Sequence, residues 1–342
     1  MNSTFNRRKA GFAILLCALV AVLVIGGLLL IRHWEQEESR SAVEALTQQS
    51  GTRAGETAEA AVRYQGKWSR QNPDLETVLL IGLDKYEKDI PNEDNYENAQ
   101  QSDFLALLLI NRADNNYTIL HLNRDTMAEV PQLSVTGEQY DTRVEQLALA
   151  HTYGSGGKDS CRNTVQAVSN LLYGVEIDHY VSVTMDAVPI LNDLLGGVTV
   201  HIGDDFSAVD AALVQGEDVT LQGEQALTFV RSRGSMEDSS NLARMVRQRT
   251  YLKAMKDQAV TCLNADSGFA ARAMLELADY MVSDCTVNQL SGLLDTAITF
   301  DSPEILTTAG EAVKGEKYME FYVDEAALQQ QVIDLFFVEE QQ

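Results

Sequence analysis

Two groups of side chains in this chain have the types and spacing for chemistry on phosphate. The first is acidic. Asp84 closes an apolar run at residues 77–83 (TVLLIGL), and Asp103 opens another at residues 104–110 (FLALLLI). A third run, residues 117–123, leads straight into Arg124, Asp125 and Thr126 and is joined to the second by Ala113-Asp114-Asn115-Asn116. That tetrad is rich in turn formers and marks a hairpin. Strand residues equidistant from such a turn face each other, so Asp103 is expected opposite the Arg124-Asp125-Thr126 segment. If the first strand also runs antiparallel to the second, Asp84 reaches the same edge after the 18-residue connection 85–102. Carboxylates gathered at one sheet end repel unless a cation lies between them, which makes Asp84 and Asp103 candidate ligands of a hard divalent ion, with Mg2+ the usual partner of phosphate chemistry. For any single aspartate at a strand end, capping a turn is the simpler role.

The second group is basic. Arg231, Arg233, Arg244, Arg247 and Arg249 fall within 19 residues of a chain that has 26 Lys and Arg against 50 Asp and Glu. Arg244 and Arg247 are spaced i, i+3, and Gln248 is i+4 from Arg244, so one helical face is expected to offer guanidinium forks for bidentate phosphate contact. The polar residues 237–241 ahead of them supply a helix N-terminus, itself favourable to anions. The alternative is a solvated basic face paired with surface acids. Residues 154–160 (GSGGKDS) fall short of a P-loop, because Thr152 stands where the first glycine belongs and Asp159 follows the lysine. His151, His179 and His201 show no metal-ligand spacing, and no Gly-x-Ser-x-Gly elbow supports a serine nucleophile.

The elements needed to hold these groups alternate between the two periods. Strands are expected at 77–83, 104–110, 117–123, 180–185 and 197–202. Helices are expected at 143–153, 160–173, 187–195, 224–230, 240–260, 269–282 and 287–299, then a closing strand pair and a helix at 325–337. The alternation predicts an α/β fold, a three-layer α/β/α sandwich with a central mixed sheet. Residues 10–31 are uncharged and apolar, about the length a bilayer demands, with Arg7, Arg8 and Lys9 before them and Glu35, Glu37 and Glu38 after. The expected organisation is a cytoplasmic tail (1–9), a transmembrane anchor (10–32), a polar stalk (33–76), a catalytic domain (77–260), and a C-terminal helical extension with closing strands and helix (261–342), all beyond the anchor lying outside the cytoplasm. A net charge of −24 disfavours nucleic acid as a partner. Cys262 and Cys285 are candidates for a bridge in that compartment, with buried free thiols, as for Cys161, the alternative.

Taken in order, several fragments resemble the LytR-CpsA-Psr family of bacterial cell-envelope proteins: Ile81-Gly82-Leu83-Asp84, Ser102-Asp103, Asn123-Arg124-Asp125-Thr126, Ala150-His151-Thr152-Tyr153-Gly154, Ile177-Asp178-His179-Tyr180-Val181, residues 192–200 (NDLLGGVTV), residues 221–227 (LQGEQAL), Val230-Arg231-Ser232-Arg233, and Arg244-Met245-Val246-Arg247-Gln248. The resemblance implies a phosphotransferase that moves a glycan phosphate from a polyprenyl pyrophosphate carrier to peptidoglycan at the outer membrane face of Gram-positive bacteria. It implies that Asp84 and Asp103 bind Mg2+, that Arg124, Arg231, Arg233, Arg244 and Arg247 hold the pyrophosphate with Gln248 beside them, and that the lipid tail lies in an apolar groove between sheet and helices. Asp125 and Asp238 are both candidates for the base toward the acceptor hydroxyl. The chain departs from the family pattern at Gln101 and at Lys85, Tyr86 and Lys88, where arginines are common, and at Asn241, where an acid is. The missing arginines support, as an alternative, a non-catalytic polyprenyl-phosphate-binding protein, and the extra helical region at 261–299 supports a regulatory or scaffolding envelope protein.

Overall fold

The computed structural model describes residues 62–84, 98–232, 241–286 and 305–339, apart from positions 66, 135 and 267, together with Gln289, Leu293 and Thr296. The expected anchor, most of the stalk, Arg233, Asp238 and most of the expected helix at 287–299 lie outside the described residues.

The chain opens with strands β1 (Val62–Tyr64), β2 (Lys67–Gln71), β3 (Leu75–Leu83), β4 (Ser102–Asn111), β5 (Asn116–Leu122), β6 (Met127–Leu133) and β7 (Gln139–Gln146). A 3-10 segment (Leu147–Thr152), α1 (Lys158–Leu171), β8 (His179–Thr184), α2 (Ala187–Leu194), β9 (Val198–His201) and β10 (Asp218–Leu221) follow. Then come α3 (Glu224–Arg231), α4 (Asn241–Ala265), α5 (Phe269–Leu277), β11 (Met281–Ser283), β12 (Ile305–Thr307), β13 (Gly310–Lys314), β14 (Met319–Val323), α6 (Glu325–Phe336) and β15 (Phe337–Glu339).

The central sheet has six strands in the order β11-β8-β3-β4-β5-β12. It is mixed: β3 pairs in parallel with β8 and β5 with β12, while the other pairs are antiparallel. β3 and β4 are near-continuous apolar runs because both of their faces are covered. Alternate residues feed separate cores, with Val78 and Leu80 on one side and Leu79, Ile81 and Leu83 on the other. Leu191, Phe229, Tyr251 and Phe269, from α2 to α5, fill the first core. Val168 of α1 and Leu328 and Phe336 of α6 fill the second. Helices thus cover both faces.

Three sequence expectations change. Residues 143–153 are not an α-helix: they form the end of β7 and the 3-10 segment. β7 is an arm exposed along most of its length, so it lacks the buried alternation that identifies a strand, and the apolar spacing of the residues after it imitates a helix. Residues 62–71, counted with the stalk, form β1 and β2, which join β15 in a second sheet. Residues 281–283 leave the helical region to pair as β11 with β8. Cys161, Cys262 and Cys285 are free thiols. Among the described residues no helix is long and apolar enough to cross a membrane.

Candidate active site

The hairpin register places the acidic group. Leu105 pairs with Leu122 across β4 and β5, so the ladder continued two residues brings Asp103 to Arg124. Across β3 and β4, Gly82 pairs with Phe104 but Leu83 with Ser102, which leaves Asp103 as an extra residue. Such a bulge re-aims a side chain at a sheet end. Asp84 follows on the neighbouring strand: its N–H donates to the Gln101 carbonyl at 3.0 Å, and its Oδ1 accepts the Gln101 N–H at 2.9 Å. Gly82 sits so close to Phe104 that a Cβ there would lie 2.9 Å from the Phe104 Cβ.

Asp103 is 5% exposed and carries two guanidinium groups, those of Arg124 and Arg244, which are 4% and 2% exposed. Arg124 Nη1 donates to Oδ1, and Arg244 Nη1 lies 3.2 Å from Oδ2. Arg124 also donates from Nη2 to Gln101 Oε1 at 2.5 Å. On α4, Asn241 accepts from Arg244 Nε at 2.8 Å and donates to Asn123 Oδ1 at 2.8 Å, tying the helix start to the end of β5. Gln248 donates to the Asp103 carbonyl at 3.5 Å. Arg124 Nε also lies 3.5 Å from Asp125 Oδ1, and the two guanidinium forks, held in a water-poor place, suit an anion with several acceptor oxygens.

Asp125 is held from its other side. Gln146 Nε2 donates to its Oδ1 at 3.3 Å and to the Met319 carbonyl at 2.7 Å, and the Phe321 N–H donates to the Asp125 carbonyl at 2.9 Å. The hairpin of β13 and β14, far away in sequence, therefore braces the Arg124-Asp125 segment.

Arg247 turns elsewhere. Its Nε donates to the Phe229 carbonyl at 3.0 Å, Nη1 to Asp204 at 2.7 Å and Nη2 to the Ser232 carbonyl, with the guanidinium 5.6 Å from the Phe206 ring centroid. Arg231 is exposed at the end of α3. Its charge acts on Asp186, whose carboxyl is raised above the usual range by burial and lowered in part by Arg231. The structure thus gathers Asp84, Asp103, Arg124, Asp125, Arg244 and Gln248 at one sheet end, sets Arg231 on the surface and turns Arg247 to the α3 side.

Beside the charged end lies an apolar cavity of about 90 Å³ between sheet and helices, lined by Gly82, Phe104, Met185, Leu191, Gln248 and Met255 among others. Gln248 belongs to both regions. Sequence reasoning missed Asn241 and Gln101 as partners of the arginines, and it missed His121. This histidine is buried and packs against Phe104 with centroids 4.8 Å apart. Burial, then Arg249 and Arg244, push its pKa down to about 3, so it stays neutral. Its alternation with the apolar residues of β5 was the available signal.

A model of the LytR_cpsA_psr family matches residues 39–334. The chain belongs to that family. Among its relatives, the Enterococcus faecalis polyisoprenyl-teichoic acid–peptidoglycan teichoic acid transferase TagU is 26% identical over 279 residues, covering 82% of this chain and 79% of that one. The TagU of Halalkalibacterium halodurans is 31% identical over 182 residues, 53% of this chain and 52% of that one. A structure of TagT bound to LI-WTA shares the fold, with a TM-score of 0.57 at 22% identity, covering 77% of this chain and 90% of that one.

Proposed function

We propose that the protein transfers a glycan phosphate from a polyprenyl pyrophosphate carrier to peptidoglycan. The observation that carries this reading is the junction at Gln248, where a buried pair of guanidinium groups meets an apolar cavity. A lipid diphosphate has that same division, a charged head joined to an apolar tail. The relatives named as teichoic acid transferases support the reaction class.

In this reading Arg124 and Arg244 exchange part of their contact with Asp103 for pyrophosphate oxygens, Arg231 approaches from the end of α3, and Arg233 of the same motif adds charge. An acceptor hydroxyl attacks the phosphorus on the glycan side. The bond from that phosphorus to the bridging oxygen breaks, polyprenyl phosphate leaves, and the hydroxyl proton passes to a carboxylate, Asp125 or Asp238. Pre-aimed guanidinium groups stabilise the charge that develops in such a transfer. The diphosphate bond supplies the driving force.

Asp84 and Asp103 lie on neighbouring strands, and their oxygen donors fit Mg2+ in type. Asp103 holds two guanidinium groups in this structure, so the ion would share its oxygens with them. When bound, Mg2+ would neutralise phosphate charge. A membrane anchor at 10–32, with the residues after it outside the cytoplasm, would keep the site near a membrane-borne carrier.

The test is transfer from a synthetic polyprenyl-pyrophosphate-linked glycan to peptidoglycan, with and without Mg2+. Arg124→Ala should abolish transfer while the fold is kept; equal rates in variant and parent would rule the reading out. Tight lipid binding with no turnover in the parent would instead favour the non-catalytic binder, which the neutralised state of Asp103 also suits.

A further inference from the structure

We propose that His179, Asp284 and Cys285 form a binding site for a transition metal of the zinc type, at the opposite end of the sheet from the guanidinium cluster. His179 begins β8 and pairs with Val78, which stands six residues before Asp84 along β3, a separation of about 20 Å at strand rise. Asp284 and Cys285 directly follow β11, which pairs with β8. The chemistry is therefore independent of the transferase reading.

The three residues offer a nitrogen, an oxygen and a sulfur within 4.8 Å of one another. His179 Nδ1 and Asp284 Oδ1 are 3.6 Å apart. Tetrahedral zinc bonds of about 2.0–2.3 Å put neighbouring ligand atoms roughly 3.3–3.8 Å from each other, so small side-chain rotations suffice. Nδ1 is buried and has no hydrogen-bond partner, a condition that buried ring nitrogens seldom tolerate and that an ion relieves. The backbone frame is firm: Asp284 Oδ1 accepts the Tyr180 N–H at 2.9 Å, and Ser283 Oγ donates to the Tyr180 carbonyl at 2.8 Å while accepting the Cys285 N–H at 3.0 Å. The Asp284 side chain is 37% exposed, which leaves an approach for the ion and for a water as fourth ligand. A mixed set containing thiolate and imidazole selects Zn2+ or Co2+ over Mg2+.

Gln289 is the neighbour that must respond. Its amide nitrogen is 2.5 Å from His179 Nε2, while its oxygen accepts the Thr286 N–H at 2.8 Å. A metal on Nδ1 leaves the ring proton on Nε2, where an amide oxygen is the matching partner. Loading the site therefore turns the Gln289 amide and releases Thr286.

The experiment is Co2+ titration of the full-length chain, purified in detergent and stripped with a chelator, read by absorption. We expect one Co2+ per chain with a thiolate-to-cobalt charge-transfer band that Zn2+ abolishes by displacement. Cys285→Ser should remove the band, Cys262→Ser should leave it, and His179→Ala should weaken binding by at least about tenfold. Asp284→Asn keeps an oxygen for the Tyr180 N–H, so it preserves the backbone contact while lowering affinity, and circular dichroism of each metal-free variant checks its fold. Absence of the band in the parent chain, or a band that survives Cys285→Ser in a folded variant, would overturn the proposal.

Discussion

Arg244 and Arg247 lie three residues apart on α4, and both are almost fully buried, yet they face different worlds. Arg244 meets a carboxylate and the side chain of Asn241, partners that phosphate oxygens can replace. Arg247 meets two main-chain carbonyls and Asp204, and all three of its nitrogens are engaged there. What a guanidinium does is set by whether its partners can be exchanged. In the proposed function, that measure makes Arg244 the ligand-facing group, while Arg247, expected from the sequence to hold pyrophosphate as well, is tied here to the end of α3. The shared motif hides the division of labour.

The sharpest way to break this comparison is Arg244→Ala. Loss of a charge aimed at the transferred phosphate should lower the transfer rate by about 10²- to 10³-fold, and the loss of stability should be the smaller effect because Arg124 still pairs with Asp103. An equal loss of rate and stability would place Arg244 with the braces. Arg247→Ala should show the converse in urea denaturation. It strands the Phe229 and Ser232 carbonyls, at about 1–3 kcal/mol for a buried unsatisfied group, while the Asp204 contact, half open to water, contributes little. Arg247→Lys should recover little of that stability, since a point charge cannot reach the carbonyls and Asp204 together.

How much of this could be read beforehand depends on what fixes each position. The pairing of Asp103 with Arg124 was legible because a short turn sets the register of its hairpin, and counting outward from Asp114 and Asn115 is enough. The bulge at Asp103 was not, since it reflects how β3 and β4 accommodate Phe104 against Gly82. Helical spacing put Arg244 and Arg247 on one face, but an i, i+3 pair straddles about 60° of helix surface. The loop after β9 that carries Asp204, some 40 residues earlier, decides that Arg247 turns away. Likewise the brace on Asp125 comes from β14, for which no local signal exists at Asp125 itself.

A smaller effect separates the site's charge from its stability. His121 lies against Phe104, and burial, then the charges of Arg249 and Arg244, push its pKa from 6.5 down to about 3. In the unfolded chain it takes up a proton below its ordinary pKa, and in the folded chain it does not. Its contribution is therefore fully present above pH 6.5 and is lost as pH falls toward 3. At pH 5 the loss is about 2 kcal/mol relative to pH 7. His151, lowered to about 4 by burial, adds a parallel loss. Denaturation of His121→Gln between pH 7 and 5 should show a fall shallower by that amount; an unchanged slope would mean that His121 is protonated in the fold.

The finest test concerns how Arg124 is aimed. Gln101 accepts from Arg124 Nη2 through its side chain and donates to Asp84 through its backbone. The side chain thus orients the guanidinium, while the backbone holds the aspartate whatever the side chain is. Gln101→Ala removes a single hydrogen bond, about 0.5–1.5 kcal/mol, so transfer should fall by roughly two- to tenfold. The mutation should leave Mg2+ dependence unaltered, because the Asp84 contact is a main-chain one. Gln101→Arg removes the acceptor and adds a second fork beside Arg124, so the affinity for the pyrophosphate lipid should rise even as the aim of Arg124 is lost. If Gln101→Ala changed neither rate nor affinity, Arg124 would need no partner beyond Asp103 and Asp125, and the contrast between exchangeable and fixed partners would rest on Arg244 alone.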